Sequence, residues 1–494
     1  MKRIKFFILS CVICLTSCED ITELQKDPAA ILAPSSDLIL AGILMNGSTY
    51  DAPWSTDHRH NQYMTQNEAY YEGQAYGWTT ASFDGTYVNL RNVNQMEIAA
   101  EKIGDLGLPY KALGKFLKAY FYSRGTEIFG DMPMSEAMLG ASDANFKPKY
   151  DSQKDIYIQV LKWLDEANAE LTPLVAKKAT VSNDFVYNGD LAKWQKLVNS
   201  YKLRVLTSLS KRADDTPELN VKQQFTAIVS DPVKYPLILT NAENFQIVYN
   251  TFNTYPLWPS NGVVIKTDKR NTLGATFTDI AKVTRDPRLL IVASPAEALK
   301  TNTDVFARYV GGKTGDLQST LLDQAGKGLL SMINFDYWVT SAAGLPAIQL
   351  GAHEVHFNIA EAINRGWVTG NAADYYKKGI EESMKFYGIA QTAIDAFVAQ
   401  NAYPGNTTEG LNKILEQKYM AFFENSGRQA FYNNRRTGVP KFDIGLSNAN
   451  NNQIPVRWAY PTSEYSTNEV NVKASIQAQF KGADTQNVVM WLIK

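Results

Sequence analysis

Residues 152–171 read SQKDIYIQVLKWLDEANAEL, and this stretch indicates the fold class of the chain. Its apolar side chains recur every three or four residues, as they do on one face of an α-helix. They are Ile156, Val160, Trp163, Leu164, Ala167 and Leu171. Ser152 and Asp155 are spaced like a capping box at the start of a helix. The stretch therefore predicts an amphipathic helix.

Other segments repeat this pattern. Asp190 can cap a second helix, whose buried stripe would be Trp194, Leu197, Val198, Tyr201 and Val205. One later helix carries Ile359 to Ile363 and ends at Gly366, the next carries Tyr376 to Tyr387, and a third runs from about Glu409 to Phe423. Short helices in antiparallel pairs resemble tetratricopeptide packing, although no clean repeat period is present. We predict a mostly α protein with long irregular loops and few short strands, such as 245–249 and 263–266.

Two regions are rich in aromatic side chains. The stretch from about Asn220 to Pro346 is rich in Asn, Thr, Gly and Pro and is predicted to be irregular. The run from Tyr50 to Tyr87 interleaves aromatic and amide side chains with a single basic residue, Arg59. Aromatic rings stack on the apolar face of a sugar, and amides and carboxylates bind its hydroxyl groups. For any single ring, a place in the hydrophobic core is the simpler expectation, but the set favours a sugar-binding surface.

The first residues have the layout of a secretory signal, with Lys2, Arg3 and Lys5 before an apolar run that is too short to span a bilayer. Leu15 to Cys18 read LTSC, which is typical of a lipobox. We predict cleavage after residue 17, lipidation of Cys18, an extended tether over 18–36 that contains two prolines, and a single domain over 37–494.

The composition excludes some classes of function. Lysine plus arginine number 49 and aspartate plus glutamate number 50, so no large single-sign field would attract nucleic acid. All three cysteines, Cys11, Cys14 and Cys18, lie in the leader or at its end. The remaining chain therefore has neither a disulfide nor a thiolate site.

The catalytic and metal-binding motifs are incomplete. His353 and His356 are three residues apart, whereas a zincin helix needs histidines four apart, so we expect a pair on a helix surface. His58 and His60 are expected in a solvated loop. The Gly-Gly-Lys-Thr sequence at 311–314 lacks the first glycine of a phosphate-binding loop, and no G-x-S-x-G motif is present. A carboxylate pair for glycoside hydrolysis stays open, because its separation is spatial. We predict no enzyme, no metal centre and no cofactor, and leave calcium open.

The segment Phe129 to Ala137 reads FGDMPMSEA and resembles the one that follows the first helical pair in SusD/RagB-type lipoproteins. Further blocks follow in that family's order across nearly the whole chain. They are Tyr150 to Ser152, Leu164 to Ala167, Lys193 to Ser200, Ala360 to Ala362, Gln417 to Phe423, Arg435 to Pro440, Ile454 to Arg457 and Tyr460-Pro461. The family's usual ending has a tryptophan pair, whereas this chain has Met490-Trp491-Leu492.

The resemblance implies a SusD-like fold with a tetratricopeptide-like scaffold, which acts as a lid on a SusC-like TonB-dependent outer-membrane transporter. It implies binding without a reaction. Glu19 and Asp20 resemble the signal that sends such lipoproteins to the outer face of the outer membrane. The expected function is capture of a glycan and its delivery to the transporter. An oligopeptide cargo is the alternative, and a lipid-anchored hydrolase is a third hypothesis.

The family's binding loops vary, so no motif assigns ligand contacts in this chain. We predict from the aromatic pattern that Trp78, Trp258 and Trp338 are stacking platforms and that Tyr71, Asn253 and Tyr255 assist them.

Overall fold

The computed structural model describes residues 34–48, 52–66, 72–258 and 270–494. The predicted leader, the lipidated Cys18, most of the tether, Tyr71 and the strand-like piece at 263–266 lie outside the described residues. Within the described ranges, no helix is both long enough and apolar enough to cross a membrane.

The described chain is mostly α-helical, as the sequence predicts. The helices of its first half are α1 Ser36–Ser48, α2 Asp57–His60, α3 Asp84–Glu101, α4 Leu108–Phe129, α5 Gly140–Asp143, α6 Gln153–Ala176, α7 Leu191–Ser208 and α8 Val221–Ser230. Those of its second half are α9 Ala275–Thr284, α10 Arg288–Val292, α11 Gln318–Gly326, α12 Phe335–Trp338, α13 Ala352–Asn364, α14 Ala372–Phe386, α15 Gln391–Gln400, α16 Thr408–Ala421, α17 Gln429–Thr437, α18 Thr462–Thr467 and α19 Glu469–Phe480.

The strands are short and form two-stranded antiparallel sheets. They are β1 Met64–Gln66, β2 Phe245–Ile247, β3 Asn271–Leu273, β4 Ala293–Ser294, β5 Met332–Ile333 and β6 Ala347–Leu350. β1 pairs with β3, β2 with β6 and β4 with β5. The strand predicted at 245–249 is confirmed over Phe245–Ile247, as β2.

The predicted helices form for the predicted reasons. The Ser152 hydroxyl accepts a hydrogen bond from the Asp155 backbone N–H (3.1 Å), which caps α6, and α6 buries Ile156, Val160 and Leu164 against α4 and α7. The Asp190 carboxylate caps α7 by accepting from the N–H groups of its first turn. In the second half, α13 packs against α14, α16 and α7. Packed helices are therefore the frame of the molecule.

One hydrophobic core runs from Leu40 in α1 to Ile493 at the C-terminus. The end of the chain is part of it, because Met490 and Leu492 are buried. The backbone N–H of Leu492 donates to the side chain of Gln153 at the start of α6 (2.9 Å). The last residues thus close over a helix that begins more than 300 positions earlier.

The expectation that 220–346 is irregular is wrong over several spans. The region contains the helices α8 to α12 and the strands β2 to β5. In α8, the buried side chains are Val221, Phe225 and Ile228, at helical spacing. The helices are short and separated by Asn-, Gly- and Pro-rich loops, so their periodicity is hard to read from sequence.

The expected positions of the histidines are also wrong. His353 and His356 are buried rather than exposed, because α13 is covered on several sides by other helices. His356 Nε2 lies 3.0 Å from the Leu239 carbonyl oxygen. Burial lowers the pKa of both rings to about 4, so both are neutral near pH 7. His58 and His60 are buried as well, and both lie within the single turn of α2. In the part of the chain that the structure describes, no group of three His, Cys, Asp or Glu side chains could hold a metal ion.

Buried ion pairs join α13 to the helices around it. Arg204 of α7 makes two hydrogen bonds to Glu354 (2.7 and 2.5 Å), and Arg436 of α17 makes two to Glu361 (2.5 and 3.0 Å). Burial alone would raise the pKa of Glu361, but the guanidinium groups of Arg436 and Arg365 hold it well below its usual range. Glu361 therefore stays ionised inside the core.

Candidate functional site

Two cavities lie side by side and share Met332 and Ile333 of β5 as a common wall. The larger has a volume of about 550 Å³ and the smaller about 150 Å³. Strand β3 contributes to both, with Asn271 lining the smaller and Thr272 the larger. We call the two cavities together the groove. Its size is in the range of sites that hold small organic ligands.

The smaller cavity combines an aromatic wall with a polar strip. Trp54 and Leu257 form apolar parts of its lining. The polar part of the lining includes Arg59, Gln66 and Asn271. Arg59 donates a hydrogen bond to the Gln66 side-chain oxygen (2.8 Å), and the Gln66 amide donates one to the Asn271 side-chain oxygen (2.5 Å). A ring beside fixed amide and guanidinium groups can stack on a sugar and bind its hydroxyl groups.

The larger cavity is apolar within and charged at its edge. Its apolar lining includes Pro295, Ala325, Leu330 and Phe335, and its charged lining is Glu297, Lys300 and Asp336. Lys300 and Glu297 form an exposed ion pair (2.5 Å), which contributes little to stability in water. These side chains can therefore reorient toward a ligand at small energetic cost.

Trp54 is fixed by contacts on three sides. Its backbone has a positive φ of 64°, which is uncommon for a residue other than glycine. Its backbone N–H donates to Oε2 of Glu424 (2.5 Å), and its indole N–H donates to the hydroxyl of Tyr255 (2.7 Å). Its ring meets Trp338 edge to face, with centroids 5.0 Å apart. The ring that lines the smaller cavity is thus held in one orientation.

Two of the predicted site residues lie behind Trp54. Tyr255 is 1% exposed and Trp338 is 2% exposed, so neither presents an open ring face in this conformation. Burial raises the pKa of the Tyr255 hydroxyl well above its usual range, which keeps it protonated. The indole N–H of Trp338 donates to the Val292 carbonyl oxygen (2.9 Å). In this position both side chains can support Trp54, and direct contact with a ligand stays a prediction.

Two further predicted residues lie on the segment that leads to this wall. Trp258 is 39% exposed and follows Leu257, which lines the smaller cavity. Its backbone N–H donates to the Tyr255 carbonyl oxygen (2.7 Å). Asn253 is half-buried in a tight turn, in which its backbone N–H donates to the side chain of Asn250 (2.9 Å). The structure therefore brings Tyr255 and Trp338 into contact with Trp54, and joins Trp258 to Tyr255 through the backbone.

Trp78 belongs to a different aromatic cluster. It stacks on Trp458 with centroids 5.7 Å apart and packs against His60 at 4.2 Å. It is partly buried and is not among the residues that line the groove. Its assignment as a stacking platform stays a prediction.

Several groove residues were missed by sequence reasoning. Trp54 and Arg59 stand inside the aromatic run from Tyr50 to Tyr87, so composition pointed to their neighbourhood but not to them. Gln66 and Asn271 meet across β1 and β3 although they are 205 positions apart. A single sequence contains no signal for that pairing.

Comparisons with known proteins give one consistent result. The profile of a family described as starch-binding and associating with the outer membrane matches residues 29–461. A SusD homologue from Bacteroides fragilis is 29% identical, with 93% of this chain and 100% of that chain covered and a TM-score of 0.85. A second SusD homologue from the same species is 31% identical, with 93% and 99% covered and a TM-score of 0.80.

A chitin-binding protein of solved structure is 25% identical, with 93% of this chain and 99% of that chain covered and a TM-score of 0.76. No curated protein matches the chain significantly.

Proposed function

This chain belongs to the SusD-like family of starch-binding proteins that associate with the outer membrane, and on that basis we propose that it captures an oligosaccharide in the groove beside Trp54. It is a surface-facing outer-membrane lipoprotein, anchored by lipid on Cys18. It passes its ligand to a SusC-like TonB-dependent transporter. The anchor is supported by the lipobox sequence, and the partner by the family blocks that run along the chain.

The arrangement in the smaller cavity carries this proposal. A rigid Trp54 ring lies at the same cavity as the hydrogen-bonded strip of Arg59, Gln66 and Asn271. A pyranose needs both partners, because it has an apolar face and a rim of hydroxyl groups. The larger cavity adjoins at Met332 and Ile333, which leaves room for a second sugar unit.

A related structure supports a glycan rather than a peptide cargo. The chitin-binding protein is similar to this chain along 93% of its length. Oligomers of N-acetylglucosamine are therefore the first probes to use. The protein binds its cargo without cleaving it, as expected for a family of binding proteins.

The decisive experiment is binding of the purified, processed protein to arrays of glycans and of peptides. We expect saturable binding of a glycan together with quenching of tryptophan fluorescence. Peptide binding alone would retain the lid function and reject the sugar. Product released from the array by the protein would instead indicate a hydrolase.

The first variant to test is Trp54→Ala. Loss of a stacking ring removes about 1 kcal/mol or more, so we expect the affinity for the bound glycan to fall roughly tenfold. Trp163→Ala is the matched control, since that half-buried ring lies on α6 against Tyr122 and outside the groove. Equal affinities for Trp54→Ala and the unchanged protein would reject the groove as the site.

A further inference from the structure

Glu424 is a buried carboxyl group behind the groove. It follows α16, and its side chain is fully inaccessible to solvent. Oε2 accepts the Trp54 backbone N–H (2.5 Å) and lies 3.5 Å from Nε2 of His58, whose side chain is equally buried. Oε1 has no hydrogen-bond partner among the described residues. Among the described residues, both of the close polar neighbours of this carboxyl group are therefore at Oε2.

An acid in this position is costly when ionised, because a buried charge needs close partners of opposite sign. Burial raises the pKa of Glu424 to about 8, and the Trp54 N–H offsets only part of that effect. The neutral acid is therefore the main form at pH 7. Its charge changes within an ordinary experimental pH range.

The groups that face Glu424 come from several elements. They are His58 of α2 and the hydroxyl groups of Tyr63, Tyr255 and Tyr387. Asp57, which precedes His58 in the sequence, forms an ion pair with Arg428 (2.8 Å). Burial raises the pKa of all three tyrosines well above 10, so they stay neutral while Glu424 titrates.

We propose that Glu424 is a positioning residue, which fixes the Trp54 ring against the groove through the Trp54 backbone and shifts that ring when it gains or loses its proton. The role as a binding aid rests on the proposed function. The mechanical coupling does not, because it follows from the short contact to a residue with positive φ. That backbone conformation is disfavoured and needs such an external contact to persist.

The coupling can be measured without a ligand. The protein is labelled with 5-fluorotryptophan, and the fluorine resonance of Trp54 is assigned with Trp54→Phe. We expect this resonance to shift between about pH 6 and pH 9, around the pKa of Glu424. Trp194, which is buried on α7 and bonded to Asp184, serves as an internal reference that should stay constant.

The matched variant is Glu424→Gln, which keeps an oxygen acceptor for the Trp54 N–H but cannot ionise. We expect its Trp54 resonance to stay near the low-pH position at every pH. A Trp54 resonance that does not move in the unchanged protein would overturn the proposal. So would an equal titration in Glu424→Gln, since that result would assign the effect to His58.

A second measurement tests the effect on binding, with a tetramer of N-acetylglucosamine as the probe. Glu424→Met removes the acceptor, and we expect about a tenfold loss of affinity. In a Trp54→Ala background, the same substitution should cause no further loss, because the two residues act as one unit. Equal losses in both backgrounds would show that Glu424 does not act through Trp54.

The two proposals fail separately. If the tetramer does not bind the unchanged protein, the proposed N-acetylglucosamine cargo is wrong. The fluorine titration still decides the role of Glu424 in that case. Thermal melting of each variant identifies loss of fold, and Glu424→Gln decides the matter if Glu424→Met unfolds.

Discussion

Tyr255 does not line the groove, yet the orientation of the Trp54 ring depends on the hydroxyl group of Tyr255. The two side chains are joined by the indole N–H of Trp54, 2.7 Å from the tyrosine oxygen. A buried hydrogen bond of this kind contributes about 1 kcal/mol. Removing it frees the ring without changing the lining of the cavity.

Replacement Tyr255→Phe tests this dependence. We expect a several-fold loss of glycan affinity, because the indole N–H loses its acceptor and the ring is less well ordered. Titration calorimetry measures the affinity. Tyr249→Phe is the control, since that ring meets Tyr255 edge to face at 5.3 Å, whereas the hydroxyl group that accepts the Trp54 indole N–H is that of Tyr255. Unchanged affinity in Tyr255→Phe would show that Glu424 and Trp338 hold Trp54 without it.

At this scale the sequence pointed to Tyr255 and Trp338, which lie behind the cavity wall, but not to Trp54, which lines the cavity. Tyr255, Trp258 and Trp338 were predicted to contact the ligand; Tyr255 and Trp338 contact Trp54 from behind, and ligand contact by all three stays a prediction. The burial of Trp338 depends on a carbonyl group from Val292, 46 positions away, and on the rings of Tyr387 and Phe423. Such contacts are made by the folded chain and have no local pattern.

Among the elements, strands β1 and β3 place Gln66 and Asn271 at the smaller cavity. Their approach depends on a glycine at the end of β3. A Cβ atom on Gly274 would lie 2.0 Å from the Gln62 carbonyl oxygen, which is far inside contact distance. Gly274 also donates its N–H to the Tyr63 carbonyl oxygen (2.7 Å), and this hydrogen bond holds the segment after β3 against the segment before β1.

Gly274→Ala is therefore expected to destabilise the protein by roughly 1–3 kcal/mol, because the added methyl group forces a backbone shift. It should weaken glycan binding as well, since Asn271 moves with β3. Gly326→Ala is the control: nothing lies within 4 Å of the added carbon, and alanine suits a helix end better than glycine. Urea denaturation gives both free energies. Equal stability of the two variants would contradict the close approach.

Helices were more readable than strands. α6 and α7 were predicted from the spacing of their apolar residues and from their N-caps, Ser152 and Asp190. Both kinds of signal are local, because each is contained in the sequence of the helix or in the residue before it. β1 and β3 are three residues long and pair across more than 200 positions. Such strands are too short to show an alternation of apolar and polar residues, and no turn sequence connects them.

At the scale of the whole molecule, buried ion pairs join α13 to α7 and to α17. Glu361 receives hydrogen bonds from Arg436 and from Arg365, and the resulting pKa is well below the usual range. A carboxyl group with a depressed pKa stabilises the folded state above its unfolded pKa. That stabilisation is lost as the pH falls below about 4.5 toward the folded value.

Glu361→Gln should lower the free energy of unfolding by about 3–5 kcal/mol at pH 7, because it leaves the Arg436 guanidinium buried without its counter-ion. The difference from the unchanged protein should shrink as the pH falls below about 4.5, because the carboxyl group of the unfolded chain then takes up a proton while that of the folded chain stays ionised. Denaturant titrations at pH 7 and at pH 3 measure both values. Glu101→Gln, at an exposed pair, should cost less than about 1 kcal/mol. A difference that does not depend on pH would contradict the depressed pKa.

The closure of the core by the last residues has a consequence for biosynthesis. Because Met490 and Leu492 complete the surroundings of Gln153, a nascent chain that still lacks its final segment has an open wall beside α6. Such a chain lacks part of its native core until Met490 and Leu492 have been synthesised. An incompletely folded nascent chain is compatible with the export that the first residues predict, because a translocation channel admits an unfolded polypeptide.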